Sequence, residues 1–218
     1  MSLLLYGIVM EDLQLDIDPN MQLVKEGALV AIVTICEDEV SREPSIVLAF
    51  GEQVMQIHQQ TTVIPMRYGS VLKNKDAVRQ HLLEHQIHYQ SCLIELNDCE
   101  ELGIRLSLEL LTDNVVSLQQ PVSGHRYLQE RKRVYEVPVC IEQQAEKINN
   151  VLIGLYRQHN VTFSVFNGRQ TYLLSYLVPR SELDIFRQRL HELRNVIGDI
   201  GSMSGPWPPY NFVSEFLQ

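Results

Sequence analysis

Apolar positions along the chain change period several times, and each change predicts an element. Leu3 to Val9 is apolar and short, the pattern of a strand. Gly27 to Cys36 is apolar at nearly every position, as expected of a strand covered on both faces. From Glu43 to His58 the period shifts: Val47, Phe50, Val54 and Ile57 fall on one side of a helix. Thr61 to Met66 is β-branched and apolar and returns to strand. A helical stripe then runs from Lys75 to about Leu96 through Val78, Leu82, His85, Tyr89, Cys92 and Leu96. The order predicted for this half is β-β-α-β-α.

The later half has a sharper pattern. Leu102 to Leu111 alternates around Ile104, Leu106 and Leu108 and reads as a strand. His125 to about Val134 favours helix, and Pro138 interrupts it. Ile141, Ala145, Ile148, Leu152 and Leu155 form the next helical stripe. Val161 to Phe166 alternates, and Asn167-Gly168 suits a tight hairpin turn into the partner strand Tyr172 to Val178. Ser181 to Asp184 resembles a capping box, opening a helix with Leu183, Phe186, Leu190, Leu193 and Ile197 on one face. Gly198 and Gly201 close it, and an extended tail follows. This half spells β-α-β-β-α-β, the ferredoxin-like pattern. Pro206, Pro208 and Pro209 lack a donor, which suits a tail at a sheet edge. The expected fold is α+β in two domains, a mixed N-terminal domain over 1–98 and a ferredoxin-like domain over 99–218.

With 218 residues, 45% of them apolar and 21% charged, the chain can bury a core. A formal net charge of −9 argues against nucleic acid and against an anionic membrane surface, both of which call for excess Lys and Arg. Cys36, Cys92, Cys99 and Cys140 show no CxxC spacing and read as reduced thiols of a cytosolic protein. Met1 to Met10 is too short for a membrane span and lacks a basic flank, so neither a span nor a signal peptide is expected.

Chemistry-bearing motifs are sparse. His81-Leu82-Leu83-Glu84-His85 has the spacing of an inverted zincin, with His88 near by, and offers a zinc hydrolase reading. His85 lies on the apolar stripe, however, and nothing marks a further ligand. Ser70-Val71-Leu72-Lys73 lacks the partner elements of penicillin-recognising enzymes. No phosphate or dinucleotide cradle occurs, so no cofactor, metal, catalytic residue or small-molecule substrate is assigned. Arg126 and Arg131 to Arg133 form the basic cluster, read as a solvated helix face, the alternative being a docking patch for an acidic partner. Two segments ask for more than a core role. Val63 to Gly69 holds Pro65, which cannot donate to a ladder, and Gly69, which suits a turn. Gly205 to Val213 holds the only Trp between stiffening prolines, a rigid aromatic suited either to anchoring a partner or, with Phe212, to closing the C-terminal core.

These residues carry a resemblance. GPWPPYNFV, Gly205 to Val213, resembles the C-terminal signature of the gas vesicle GvpF/GvpL family. VIPMRYGS, Val63 to Ser70, is similar to its PxRFG element, with Tyr68 where Phe is commoner. Leu5 to Val9 is similar to its opening strand, and Gly124 to Leu128 to the entry of its central helix. The resemblance implies a two-domain α+β protein with a ferredoxin-like C-terminal domain. It implies an accessory or minor structural role in assembling gas-filled shells in the cytoplasm, with no catalysis. The implied partners are the main shell protein and other vesicle proteins. The partner-binding candidates are Arg67, Tyr68, Trp207, Pro208, Pro209, Tyr210 and Phe212. The competing reading is a ferredoxin-like module that binds a regulatory small molecule.

Overall fold

The protein was analysed as a computed structural model that describes residues 1–11, 15–37, 40–106, 139–166, 169–197 and 201–213. The described chain divides into two compact units. One comprises Met1–Glu101 with Pro206–Gln218, the other Leu102–Gly205.

The first unit is built on β1 (Ser2–Met10), β2 (Gln22–Glu26), β3 (Leu29–Cys36), β4 (Ile64–Pro65) and β5 (Val71–Leu72). Their order is β2-β3-β1-β4, and β5 also pairs with β1. β3 lies between two strands, and its unbroken apolar run is buried on both faces, Leu29 to Val33 without exception. β1 pairs antiparallel with β3, Ser2 opposite Cys36 and Met10 opposite Leu29, with a register shift between Leu5 and Gly7. There a Cβ on Gly7 would stand 2.4 Å from Val63 Cγ2, so the approach of the neighbouring segment requires glycine.

Helix α1 (Pro44–Gln60) lays Phe50, Val54 and Ile57 into the core. Val47, expected on that face, is exposed instead, as are Ile46 and Leu48 in the same first turns. The single helix expected from Lys75 to Leu96 is two, α2 (Lys75–Glu84) and α3 (Gln86–Glu95), broken at His85. The break keeps the stripe in phase, so Val78, Leu82, Tyr89, Cys92 and Leu96 are still buried. Asn74 caps α2 by accepting from the Ala77 N–H at 2.8 Å. Two further departures are β2 and β5, neither expected, and the reduction of the Thr61 to Met66 strand to the pair Ile64–Pro65.

The second unit contains α4 (Val139–Leu152), β7 (Gln158–Phe166), β8 (Arg169–Pro179) and α5 (Leu183–Ile197). It also takes most of β6 (Cys99–Leu106) and β9 (Ser202–Trp207). Its sheet has the order β7-β8-β6-β9. β7 and β8 form the expected antiparallel pair, from Gln158 opposite Leu177 to Phe166 opposite Arg169. Ile141, Ala145, Ile148 and Leu152 of α4 share one core with Phe186, Leu190 and Leu193 of α5. The sheet supplies Leu102 and Ile104 of β6 and Leu174 and Tyr176 of β8 to that core. The capping box expected at Ser181 is replaced by a 3-10 turn over Arg180–Glu182, entered from Pro179.

Several expected features lie outside the described residues: the far end of the 102–111 strand, the helix at 125–134, the basic cluster at 126 and 131–133, the 124–128 segment, the 167–168 turn and Gly198. No helix among the described residues is long and apolar enough to cross a membrane. Where the sequence assigns the whole tail to the C-terminal domain, Pro206–Gln218 groups with the first unit. The contacts responsible are described next.

Candidate aromatic docking site

The Val63 to Ser70 element owes its composition to a turn. Ile64 and Pro65 pair with Ile8 and Gly7 of β1, and the Met66 N–H donates to the Tyr6 carbonyl at 2.9 Å. Arg67 to Ser70 then reverses the chain. The Ser70 N–H and hydroxyl both donate to the Arg67 carbonyl, at 3.1 and 2.8 Å. Gly69 sits at the third position with φ of +94°, a conformation that makes glycine the fitting residue there. The Ser70 carbonyl accepts from the Leu5 N–H at 2.9 Å, which ties the turn's exit to β1. Ser70 is thereby held as a turn residue, and Lys73 is exposed.

This turn aims Tyr68 at Phe50 of α1. Phe50 is stacked against Tyr6 with ring centres 4.5 Å apart and meets Tyr68 edge-on at 5.2 Å. Both are geometries that aromatic pairs favour. The Tyr68 hydroxyl donates to the Ser41 carbonyl at 2.6 Å and so pins the approach to α1. Leu4, Phe50 and Val54 form the buried centre, and Tyr6, Cys36, Val40, Tyr68, Val71 and Tyr210 pack around it.

Tyr210 reaches this cluster from the tail. Pro208 and Pro209 are buried, and a 3-10 turn over Tyr210–Phe212 follows them. The Tyr210 N–H donates to the Pro208 carbonyl at 2.8 Å and the Phe212 N–H to that of Pro209 at 3.2 Å. The turn presents Asn211 to Glu101: its backbone N–H donates to Oε2 at 2.9 Å, and its side-chain amide donates to Oε1. Burial pushes the Tyr210 phenol up to about 12.

Of the seven candidates, Tyr68 and Tyr210 therefore meet on one cluster, while Pro208 and Pro209 form its buried approach. Arg67 is exposed at the turn's edge, Phe212 is half-buried, and Trp207 is 48% exposed. Sequence reasoning missed Phe50, which Tyr68 meets edge-on, and Glu101, which holds the tail. It also missed the exposed Ile46, Val47 and Leu48 at the start of α1.

The histidine motif is placed differently from a metal site. His81 Nε2 lies 2.8 Å from the Tyr89 hydroxyl. Glu84 accepts from the Gln80 amide at 2.8 Å. His88 Nε2 lies 3.5 Å from the Cys92 sulfur. No group of three or more His, Cys, Asp or Glu among the described residues is arranged to hold a metal ion.

The chain is α+β, with two antiparallel sheets and a tail that packs Tyr210 onto an aromatic cluster. The chain belongs to the gas vesicle synthesis protein GvpL/GvpF family, whose profile matches residues 2–214. Among its relatives is gas vesicle protein F of a Streptomyces species, 25% identical and covering 88% of this chain and 87% of its own. Gas vesicle protein F1 of Halobacterium salinarum is 24% identical over 97% of this chain and 92% of its own. Two crystal structures share the fold. Gas vesicle protein GvpF from Anabaena has a TM-score of 0.75 at 16% identity, over 98% of this chain and 96% of that one. That from Microcystis aeruginosa has a TM-score of 0.72 at 15% identity, over 98% and 99%.

Proposed function

We propose that the chain is a non-enzymatic accessory protein of gas vesicle assembly that binds the main shell protein and other vesicle proteins. It acts with the vesicle in the cytoplasm. Its strand order β7-β8-β6-β9, with α4 and α5 in the connections, supports reading the C-terminal half as ferredoxin-like. Family membership supplies the vesicle context. The observation that carries the docking site is the meeting of Tyr68 and Tyr210 on the Phe50 cluster, which joins the two segments the family resemblance singles out. Arg67 and Trp207 are the exposed members and make first contact with the partner. Trp207 stands between Pro206 and Pro208, so little backbone freedom is left to lose on binding.

Co-purification from vesicle-forming cells tests this reading. The tagged chain should recover shell protein, and Trp207→Ala should weaken that association by about 2 kcal/mol or more, roughly thirtyfold. With half its surface in water, the same change should cost folding less than about 1 kcal/mol. A chain that never associates with shell protein or vesicles would defeat the proposal.

A further inference from the structure

Three imidazoles gather where α2 gives way to α3. The ring centres of His81 and His85 are 4.7 Å apart. Tyr89 stands beside all three, its ring 5.8 Å from His81, 5.6 Å from His85 and 5.9 Å from His88. The hinge residue is itself one of them: His85 ends α2 and begins α3 with φ of −107° and ψ of 12°, outside helical geometry. Across that break, the contact between His81 Nε2 and the Tyr89 hydroxyl fastens one helix to the other.

We propose that this elbow is a proton-sensitive joint, closed while His81 is neutral and loosened by mild acidification. A proton on His81 would place charge on a half-buried ring whose centre lies 4.7 Å from that of His85. Glu84 is the nearby carboxylate, exposed and engaged with Gln80. Lys75, Asp76 and Arg79 lie earlier on α2, where Arg79 pairs with Asp76 at 2.8 Å. Of the strands packed on α2, β3 and β5 carry no charged residue, and β2 brings Lys25, paired with Glu11 at 3.5 Å, and Glu26. α3 brings His88 and Glu95. The charges that bear on His81 are those of His85 and Glu84.

Burial first, and then His85, hold His81 below its ordinary value of 6.5, with Glu84 opposing. The native joint thus favours the neutral ring. Its contribution is complete above 6.5 and is lost as pH falls through the lower native value. The joint also carries Leu83 and Ile87, 59% and 86% exposed, which line a groove together with His85 and His88. Loosening it changes how those apolar side chains are presented.

Amide hydrogen exchange on the full chain, corrected for intrinsic rates, is the test. Between about pH 7.5 and about pH 5.5, exchange across Lys75–Glu95 should rise about tenfold relative to β1 and β3. His81→Gln keeps a group able to bond the Tyr89 hydroxyl but cannot titrate, and should flatten that ratio. His85→Gln should move the His81 midpoint, followed by NMR of its ring protons, upward toward the ordinary value. A flat ratio in the unaltered protein overturns the proposal. So does a ratio in His81→Gln as large as in the parent, or a His81 midpoint that His85→Gln leaves in place. If His81→Gln does not fold, the ratio in the unaltered protein and the midpoint in His85→Gln together decide.

Discussion

Glu100 and Glu101 are neighbours on β6, both buried in the same unit, yet they are held in different ways. Successive strand residues point to opposite sides, so each carboxylate meets its own surroundings. Glu100 lies 2.7 Å from Nε2 of His58, itself 2% exposed on α1. Glu101 receives the backbone and side-chain donors of Asn211, an exposed residue of the tail. The first carboxylate fastens a helix through an ionisable partner deep in the unit. The second gathers a terminal segment through neutral donors at the edge of water. The difference teaches that adjacent, equally hidden acids can serve permanence and attachment separately.

The largest expected effect lies on the Glu100 side. His58→Ala removes the imidazole partner of a buried carboxylate and should cost about 3–5 kcal/mol in a denaturant titration, lowering the midpoint of the whole unit. A loss below about 1 kcal/mol would mean the two acids are held alike. On the other side, Glu101→Ala should cost about 1–3 kcal/mol, because the orphaned donors of Asn211 can turn to water. Its signature should be local: proteolysis within 206–213 should speed up before the core yields, and the Trp207 emission should change. The smallest effect concerns Tyr210. Its phenol is raised from 10 to about 12, so the native state favours the neutral ring, and that stabilisation is present below 10 and fades between 10 and 12. Tyr210→Phe should leave stability near neutral pH within about 0.5 kcal/mol and make the alkaline decline shallower.

Much of the fold was legible where one face of an element is buried and the other wet. The stripes of α4 and α5 and the β7–β8 pair are such cases. β2 escaped because it is a short edge strand in which Leu23 is 42% exposed and Lys25 and Glu26 face solvent in part. The break at His85 escaped because α2 and α3 bury one continuous stripe, leaving no change of period to read. Of the proposed docking site, the turn at Gly69 and the proline-stiffened tail were legible through their local backbone chemistry. Phe50 was visible only as one more residue of a helical stripe, although Tyr68 packs its edge against it. The Glu101–Asn211 clasp joins positions 110 apart, a distance no local pattern spans.

The clasp also sets an order of events. Residues 102–205 must leave the ribosome before Tyr210 and Asn211 exist to complete the unit that began at Met1. At roughly 5–20 residues per second, that interval lasts about 5–20 s. Throughout it the nascent chain carries the Phe50 surface without its covering strap, a period in which a chaperone or a vesicle partner could engage it before the terminus does.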